Sequence, residues 1–354
     1  MTTAFRSQLL EWYDAHARDL PWRESRDPYR VWLSEIMLQQ TRVAAVIAHY
    51  HEFLRRFPTV EKLAWAREAS VLAAWSGLGY YRRARMLHAA AKVVVRELGS
   101  EFPSTAEGLL ALLGVGRYTA AAIASIAFAE PVAVVDGNVE RVLQRFSGKR
   151  IAGEDLWRAA EVLLDRERPG DFNQAMMELG ATVCTPRAPA CLTCPVVELC
   201  ATRGELAGTV KAPRQKKREI HYALDMREDK VFLVQRPRDA RLMAGMWELP
   251  EAVLPTGAKA QSEGEGETAA LKALRYPKAK RGASAAACFT LRHSITVTDY
   301  TVRVWRMPVP SHVAGKWVPV EKLARVALTG LARKILRKAE AFAIDPNDAR
   351  RHLK

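Results

Sequence analysis

The sequence predicts a mostly α-helical domain over residues 1–200 and an α+β domain over residues 218–345. Residues 29–38 carry apolar side chains at helical spacing without Gly or Pro, and residues 119–128 form an alanine-rich apolar run. Both patterns are typical of buried helices. After the helical part the composition changes, and residues 230–235 (KVFLVQ) form a short apolar run of the kind found in strands.

The boundary between the two domains is marked by composition. Residues 201–217 are rich in Gly, Pro, Thr and Lys and end in the basic run KAPRQKK, which predicts a linker. After it, residues 300–305 (YTVRVW) alternate polar and apolar side chains, which predicts a second strand. We expect residues 346–354 to form a short tail.

The net charge favours a polyanionic partner. The chain carries 54 Lys and Arg against 39 Asp and Glu, a formal charge of +15. Basic side chains that neutralise phosphates release condensed counterions, although many other basic proteins share such a surplus. The first thirty residues interleave charged and apolar side chains. We therefore expect no secretion signal and no membrane association, and a location in the cytoplasm, with the nucleoid in a bacterium, or in the nucleus or an organelle of a eukaryote. We also expect a monomer.

Four of the five cysteines are clustered, with the spacing Cys184-x6-Cys191-x2-Cys194-x5-Cys200. Clustering of this kind in a chain without a secretion signal indicates metal binding in preference to disulfides. Structural zinc usually shows two close pairs, and only Cys191 and Cys194 form one here. An iron–sulfur cluster and a zinc ion both stay open at this point. Cys288 stands apart and is expected to be a buried small residue.

Three further motifs suggest chemistry, and each has a simpler structural interpretation. Gly114 and Gly116 precede the predicted alanine-rich helix, where backbone N–H groups can approach a phosphate, although Gly-x-Gly is often only a turn. Asp136 is followed by Gly and Asn. Taken alone, this motif indicates a turn or helix cap as well as it indicates a catalytic carboxylate. Glu35 lies among large apolar residues, where desolvation raises a carboxyl pKa, although most glutamates simply face solvent.

Together these motifs resemble the adenine DNA glycosylases of the MutY family, in the helix-hairpin-helix superfamily that includes endonuclease III. The resemblance covers nearly all of residues 1–200. Its motifs, in chain order, are PWR at 21–23, VWLSEIMLQQT at 31–41, GLGYY at 77–81, LLGVGRYTA at 112–120, VDGNVERV at 135–142, NQAMMELG at 173–180 and the cysteine spacing. The family's fold is a helix-hairpin-helix glycosylase domain with an iron–sulfur loop.

The resemblance implies a two-carboxylate mechanism. Protonated Glu35 is expected to donate to N7 of a flipped adenine, and ionised Asp136 to stabilise positive charge at the sugar. Tyr118 and Asn138 are expected to position these groups. Bifunctional relatives carry a lysine where this chain has Tyr118, and a tyrosine cannot form an imine. We therefore expect a monofunctional glycosylase.

The resemblance also implies substrate contacts and a cofactor. Arg23 and Glu178 are expected to contact the adenine or its surroundings. Gln40 and Tyr80 are expected to wedge into the duplex around the lesion pair, although Tyr80 is alternatively a packed aromatic residue. Gly114 and Gly116 would contact DNA phosphate. The four clustered cysteines would hold a 4Fe-4S cluster.

The second domain resembles the Nudix-related domain that adenine glycosylases use to recognise 8-oxoguanine. Residues 241–250 (RLMAGMWELP) resemble its start, whereas only GEGE at 264–267 stands where a Nudix hydrolase needs its metal-binding glutamates. Pyrophosphatase activity is therefore not expected. The family's reading loop usually contains Phe-Ser-His or Phe-Thr-His. The nearest match here is Leu291, Arg292 and His293, which makes Arg292 and His293 candidate contacts with 8-oxoguanine.

The sequence thus predicts excision of adenine from double-stranded DNA that contains A:8-oxoguanine or A:G mismatches. One alternative is a thymine-mismatch or oxidised-pyrimidine glycosylase on the same fold, against which Glu35 and the second domain argue. Another is a catalytically silent DNA-binding protein, against which the pair Glu35 and Asp136 argues.

Overall fold

The protein is described here by a computed structural model that covers residues 2–206, 216–240, 242–252, 289–295 and 298–340. The chain divides into two compact units. The first consists of Met1–Glu68 and Arg82–Val210, and the second of Ala69–Tyr81 and Lys211–Lys354. Some residues singled out in the sequence lie outside the described residues. They are residues 207–215 of the expected linker, Arg241, the GEGE run at 264–267, Cys288 and the expected tail.

The chain is helical as far as residue 182, as predicted. Its helices are α1 (Thr2–His16), α2 (Pro28–Leu38), α3 (Val43–Arg56), α4 (Val60–Ala64), α5 (Glu68–Ala74), α6 (Arg82–Glu97), α7 (Ala106–Leu109), α8 (Arg117–Phe128), α9 (Gly137–Ser147), α10 (Glu154–Leu163) and α11 (Pro169–Thr182). Short 3-10 turns occur at Pro21–Arg23, Cys191–Thr193 and Val197–Leu199. The predicted helices at 29–38 and 119–128 are confirmed as α2 and as part of α8.

Helix α2 is buried on almost every side, which decides the environment of Glu35. Asp27 caps its N-terminus by accepting a hydrogen bond from the Arg30 backbone N–H, and Pro28 occupies the first helical turn. A helix that is apolar all round belongs in a protein core. Trp32 and Leu33 are fully buried there, and Glu35 on the same helix is 6% exposed.

The second unit contains the strands. They are β1 (Lys216–Leu224), β2 (Met226–Arg227), β3 (Lys230–Gln235), β4 (Trp247–Glu248), β5 (Phe289–Ile295), β6 (Thr298–Arg306) and β7 (Lys316–Pro319), followed by a 3-10 segment (Val320–Arg325) and α12 (Gly330–Lys338). Among the described residues, β1 pairs in parallel with β6, and β6 pairs antiparallel with β5. Strand β3 pairs antiparallel with β2, β4 and β7. The predicted α+β class and both predicted strands are confirmed.

The core of the second unit lies between these strands and α12. Leu233 on β3 and Val304 on β6 pack with Leu331, Ile335 and Leu336, which lie on one face of α12. Helix α12 begins at a Thr329 cap whose side chain accepts a hydrogen bond from the Ala332 backbone N–H. Its apolar residues at i, i+4 and i+5 therefore face the sheet. Its basic residues Lys334, Arg337 and Lys338 are exposed.

Two expectations differ from the structure. The resemblance places the 8-oxoguanine-reading motif in a loop, whereas Arg292 and His293 lie in strand β5 and pair with Thr301 and Tyr300 of β6. The buried Leu291 and the facing Val302 explain this, because they give the strand an apolar side. In addition, the expected linker extends to residue 217, but β1 already begins at Lys216. None of the described helices is long and apolar enough to span a bilayer.

Candidate active site

A cavity of about 600 Å3 lies in the first unit and is lined from α2, α8, α11 and the start of α9. Its volume falls within the range of cavities that bind small molecules. Seven of the fourteen site residues predicted for the helical domain lie on its wall. They are Arg23, Glu35, Gln40, Tyr118, Asp136, Asn138 and Glu178.

Glu35 is the buried acid of this cavity. Burial raises the pKa of its carboxyl from 4.5 to about 7. A hydrogen bond from Tyr118 opposes this shift, the negative charge of Asp136 adds to it, and the positive charge of Arg23 opposes it. Near neutral pH the carboxyl is therefore present in both protonation states, which is what a general acid requires.

Tyr118 stands in the first turn of α8 and binds Glu35 directly. Its hydroxyl lies 2.7 Å from Glu35 Oε2 and 3.2 Å from Met177 Sδ. Burial and the neighbouring Glu35 and Asp136 carboxylates raise the pKa of the Tyr118 hydroxyl well above 10. The phenol therefore keeps its proton and acts as a hydrogen-bond donor to the Glu35 carboxylate.

Asp136 is the N-cap of α9, so the helix-cap interpretation is correct, and the cap fixes the carboxylate in the cavity wall. Its Oδ1 accepts hydrogen bonds from the backbone N–H groups of Asn138 and Val139, at 2.9 and 2.8 Å. Its Oδ2 accepts a bond of 2.8 Å from the Asn138 side-chain amide. The positive end of the α9 dipole adds attraction for the carboxylate.

Asn138 is oriented in turn by Arg141, one helical turn further along α9. Arg141 donates to Asn138 Oδ1 at 2.8 Å, to the Gly180 carbonyl oxygen at 2.6 Å and to the Cys184 carbonyl oxygen at 2.7 Å. The guanidinium thus joins α9, the end of α11 and the first cysteine of the cluster. The Asn138 amide nitrogen is thereby directed at Asp136.

Gly180 allows α9 and α11 to approach closely. A Cβ at this position would lie 2.6 Å from the Asn138 Cβ and 2.9 Å from the Asn138 carbonyl oxygen. No side chain fits there without moving the first turn of α9. The geometry around Asp136 therefore depends on a glycine that lies 44 positions away, at the end of the NQAMMELG motif.

Glu178 forms ion pairs with two arginines. Arg18 donates to its Oε1 at 2.6 Å and to its Oε2 at 2.8 Å, and Arg23 donates to Oε2 at 2.8 Å. Burial opposes ionisation, but these hydrogen bonds hold the pKa of Glu178 below its usual value. Since both carboxylate oxygens are engaged and the residue is 1% exposed, Glu178 acts on the cavity by holding Arg23 in its wall.

Gln40 and Tyr80 both stand on left-handed backbone, each in a different unit. Gln40, with φ of 55°, follows the end of α2 and is exposed. Tyr80, with φ of 47°, is 47% exposed. Non-glycine residues rarely adopt this conformation, and it costs of order 1–3 kcal/mol where it occurs.

The Gly-Val-Gly segment forms the turn between α7 and α8. Gly114 has φ of 84°, and a Cβ there would lie 2.8 Å from the Met86 Cβ, so both conformation and space require glycine. Gly116 is the N-cap of α8, and no heavy atom lies within 4 Å of its ideal Cβ position. Gly116 and Arg117 are exposed, so the start of α8 is accessible to a phosphate.

The four clustered cysteines line one small pocket beside Arg145. Burial raises the pKa of the Cys194 thiol to about 11, and the charges of the other three cysteines add to the shift. Arg145 donates to Cys184 Sγ at 3.4 Å and to the Thr185 carbonyl oxygen at 2.7 Å. The thiols therefore share one site that carries its own cation. Within the described residues, no compact group of three or more His, Cys, Asp or Glu is arranged to hold a single metal ion.

In the second unit, the two candidate lesion contacts lie side by side on β5. Arg292 is exposed, and its carbonyl oxygen accepts a hydrogen bond of 2.6 Å from Lys334 Nζ on α12. His293 is half-buried. Burial lowers its pKa, and the charge of Lys334 lowers it further, so the imidazole is neutral at physiological pH.

Comparisons with known proteins give the family of the chain. Residues 33–159 match the family described as HhH-GPD superfamily base excision DNA repair protein, and residues 221–338 match the NUDIX domain. An adenine DNA glycosylase of Mus musculus is 38% identical over 96% of this chain and 78% of its own length. One of Homo sapiens is 43% identical over 70% of this chain and 57% of its own length.

The chain belongs to the adenine DNA glycosylase family. A solved structure of a thermostable thymine-DNA glycosylase is also similar, with 32% identity and a TM-score of 0.54 over 57% of this chain and 96% of that one. The predicted family is thereby confirmed, as are the helical glycosylase domain and the Nudix-like domain.

Sequence reasoning missed two arginines of this family member. Arg18 shares Glu178 with Arg23 and lines the cavity. Nothing in its local sequence signals the role, apart from its position just ahead of the PWR motif. Arg141 lies within the quoted VDGNVERV motif, three residues after Asn138. This i, i+3 spacing places the two side chains on one helical face and is a signal that could have revealed their contact.

Proposed function

We propose that this protein is a monofunctional adenine DNA glycosylase. It hydrolyses the N-glycosidic bond of adenine paired with 8-oxoguanine or guanine and leaves an abasic site in base excision repair. The observation that carries the proposal is the Glu35 carboxyl, which has a pKa of about 7, is hydrogen-bonded to Tyr118 and shares a cavity with Asp136.

The chemistry follows from these groups. The glycosidic bond is hidden in the base stack, so the adenine must be flipped into the cavity. Adenine leaves readily only when it is protonated, and Glu35 supplies that proton at N7. The Tyr118 hydroxyl holds the resulting Glu35 carboxylate in place by a hydrogen bond. The Asp136 carboxylate, fixed by three hydrogen bonds, stabilises positive charge at C1′ as the bond breaks. Water then adds its oxygen to C1′, and its proton passes to the Glu35 carboxylate, which restores the acid.

The absence of a nucleophilic amine at position 118 supports the monofunctional assignment. Tyr118 stands beside Glu35 where bifunctional relatives place a lysine, and its hydroxyl stays protonated. The strand is therefore expected to remain intact after excision. Net charge and the exposed Gly116 and Arg117 at the start of α8 support binding to the DNA backbone. The proposal further assigns the protein to the cytoplasm as a monomer.

The second unit is proposed to recognise the base opposite adenine. Its exposed Arg292 and the adjacent neutral His293 supply donors and acceptors that a purine edge can use. An Arg292→Ala variant tests this. A contact with 8-oxoguanine predicts that about 1–3 kcal/mol of discrimination against guanine is lost. A contact with phosphate alone predicts equal losses on both duplexes and a flatter salt dependence.

The four clustered cysteines are proposed to hold a 4Fe-4S cluster. The donor set fits, because four cysteine sulfurs, which are soft ligands once deprotonated, line one pocket next to the Arg145 cation. The cluster would order the segment that Arg141 joins to α9, and hydrolysis needs no redox step from it.

The identity of the released base tests the function. Duplexes with a single A:G or T:G mismatch are incubated with the protein, and the free bases are separated and identified by mass. Release of adenine from A:G alone supports the proposal. Release of thymine would favour a thymine-mismatch glycosylase, the activity of the similar solved structure. Tight binding without release of either base would favour a silent DNA-binding protein.

A further inference from the structure

Residues 69–81 fold with the second unit. Ala69–Tyr81 belongs to that compact unit together with the Nudix-like residues. By sequence, however, this segment lies inside residues 33–159, which match the glycosylase family. The segment carries Tyr80, whose aromatic ring is 47% exposed. Exposed aromatic rings are the usual platforms on which nucleic-acid bases stack.

Two buried hydroxyls attach this segment to one peptide group. Ser76 Oγ donates to the carbonyl oxygen of Leu328 at 3.0 Å, and the Tyr81 hydroxyl donates to the same oxygen at 2.9 Å. Ser76 is 1% exposed, Tyr81 4% and Leu328 0%. A carbonyl oxygen has two lone pairs, and here both are used. Ser76 and Tyr81 flank the exposed ring of Tyr80 in sequence.

The backbone between the two hydroxyls adopts conformations that need support. Gly77, Gly79 and Tyr80 all have positive φ, of 114°, 70° and 47°. The indole N–H of Trp75 donates to the Gly79 carbonyl oxygen at 3.1 Å, and Trp75 is fully buried. Left-handed backbone at a tyrosine persists only where its surroundings fix it. The bonds to Leu328 are part of that fixation.

Leu328 is itself held in the second unit. The carbonyl oxygen of Ala327 accepts from the Trp247 backbone N–H at 2.9 Å, and the Thr329 N–H donates to the Trp247 carbonyl oxygen at 2.9 Å. Thr329 is the cap of α12. The carbonyl group that accepts the hydrogen bonds of Ser76 and Tyr81 therefore lies directly before α12 in the chain, in a segment that is hydrogen-bonded to strand β4.

Helix α12 reaches the strand that carries Arg292. Lys334 Nζ donates to the Arg292 carbonyl oxygen at 2.6 Å, and Lys338 Nζ donates to the Thr290 carbonyl oxygen at 2.9 Å. A chain of direct contacts thus runs from β5 through α12 to Leu328. From Leu328 it continues to the two residues that flank Tyr80.

We infer that Ser76 and Tyr81 are specificity-positioning residues, which fasten the Tyr80 ring to the unit that recognises the base opposite adenine. When that unit contacts 8-oxoguanine, the position of Tyr80 against the duplex is fixed by the same contact. With guanine opposite, this coupling is weaker. The inference rests on the proposed function and adds to it a physical link between lesion recognition and the stacking ring.

The test is the ratio of single-turnover excision rates from A:8-oxoguanine and A:G duplexes. The double substitution Ser76→Ala with Tyr81→Phe removes both hydroxyls and keeps the buried aromatic ring. We expect the ratio to fall about five- to tenfold, the scale of one or two buried hydrogen bonds. Tyr81→Phe alone should show a smaller fall and serves if the double variant is unstable. An unchanged ratio in both would overturn the inference.

Tyr29→Phe is the matched control. The Tyr29 hydroxyl is buried and donates to the Phe57 carbonyl oxygen at 2.7 Å, the same kind of bond in the first unit. Its loss should lower thermal stability similarly and leave the excision ratio at the wild-type value. If the Ser76 and Tyr81 variants lower excision equally on both duplexes, as a general loss of stability would, the inference is wrong.

A double-mutant cycle with Tyr80→Ala shows whether the hydroxyls act through that ring. In the Tyr80→Ala background, removing both hydroxyls should change the ratio by less than twofold. A full five- to tenfold fall there would contradict the inference. These outcomes all require that the wild-type protein excises adenine. If it does not, the proposed function fails, and not merely the role of Ser76 and Tyr81.

Discussion

The Tyr118 hydroxyl donates a 2.7 Å hydrogen bond to Glu35 Oε2, although the two residues are 83 positions apart in the sequence. The bond joins the first turn of α8 to the buried helix α2. It stabilises the carboxylate, while burial stabilises the protonated acid. The balance between these two effects places the pKa of Glu35 near neutrality, where an acid can both give and recover a proton.

Glu35→Gln should abolish excision and preserve duplex binding. The amide keeps the shape of the carboxyl but has no acidic proton, and general-acid catalysis contributes about 10²–10⁴-fold to the rate. Single-turnover excision on A:8-oxoguanine and binding to an uncleavable duplex are to be measured in parallel. A rate within tenfold of wild type would remove Glu35 from the role of acid.

The same substitution should stabilise the fold at alkaline pH. A glutamate whose folded pKa is raised to about 7 favours the native state below its unfolded pKa and loses that advantage as pH rises through the folded value. At pH 8 the free energy of unfolding of Glu35→Gln should exceed that of wild type, by up to roughly 3 kcal/mol. Urea unfolding at pH 5 and pH 8 measures the difference. Equal stabilities at pH 8 would mean that Glu35 is not buried in its charged form.

The pH dependence of excision should follow Glu35 and respond to Tyr118. Because the protonated acid is the active form, the rate should fall above pH of about 7. Tyr118→Phe removes a hydrogen bond that lowers the pKa of Glu35, so the fall should move to higher pH. Tyr50→Phe is the control, since the Tyr50 hydroxyl is buried and makes no hydrogen bond among the described residues. A shift to lower pH in Tyr118→Phe would contradict the geometry.

The reaction product should be an abasic site in an unbroken strand. Tyr118 cannot form an imine with the sugar, so strand cleavage should require alkali or heat. Denaturing gels run with and without alkali measure this, and borohydride should trap little covalent complex. Abundant trapping would mean that a lysine elsewhere in the protein forms the imine that Tyr118 cannot form, and the monofunctional assignment would be wrong.

The isolated protein should be yellow-brown and contain roughly four irons per chain, bound by the clustered cysteines. Iron and zinc analysis with the visible spectrum gives the answer. Cys194→Ser should lower the iron content, whereas Cys288→Ser should leave it unchanged, because Cys288 stands 88 positions beyond Cys200. About one zinc and no iron would rule out the cluster.

Gly180→Ala should lower excision more than it lowers DNA binding. The new Cβ would overlap Asn138, which donates to Asp136, so the carboxylate would move with the start of α9. A displacement of about 1 Å at a catalytic group can reduce the rate about 10²-fold. Excision, binding and thermal unfolding are compared with wild type. Unchanged excision in a folded variant would show that Asp136 tolerates this movement.

The sequence predicted what depends on local pattern and on motif. The helical spacing around Trp32 and the apolar run at β3 predicted the elements correctly, because their burial is periodic along the chain. The glycine and cysteine motifs indicated which stretches carry chemistry. Seven residues assigned from the motifs of the helical domain line a single cavity.

Contacts between distant positions could not be predicted. Arg18 meets Glu178 across 160 positions, and Ser76 meets Leu328 across 252, and neither pair has a local signature. The roles of Glu178 and of residues 69–81 therefore emerge only from the three-dimensional structure. Leu291 to His293, the nearest match to the family's reading loop, lies in a strand, because Leu291 and Val302 give that strand an apolar face.

The central claim is that the Glu35, Tyr118 and Asp136 site excises adenine and that the second unit favours 8-oxoguanine opposite it. Single-turnover excision on A:8-oxoguanine, A:G, A:C and A:T duplexes, measured side by side, tests it most directly. We expect the fastest release of adenine from A:8-oxoguanine, slower release from A:G and A:C, and none from A:T. Equal rates on all four duplexes, or no adenine release from any, would contradict the account.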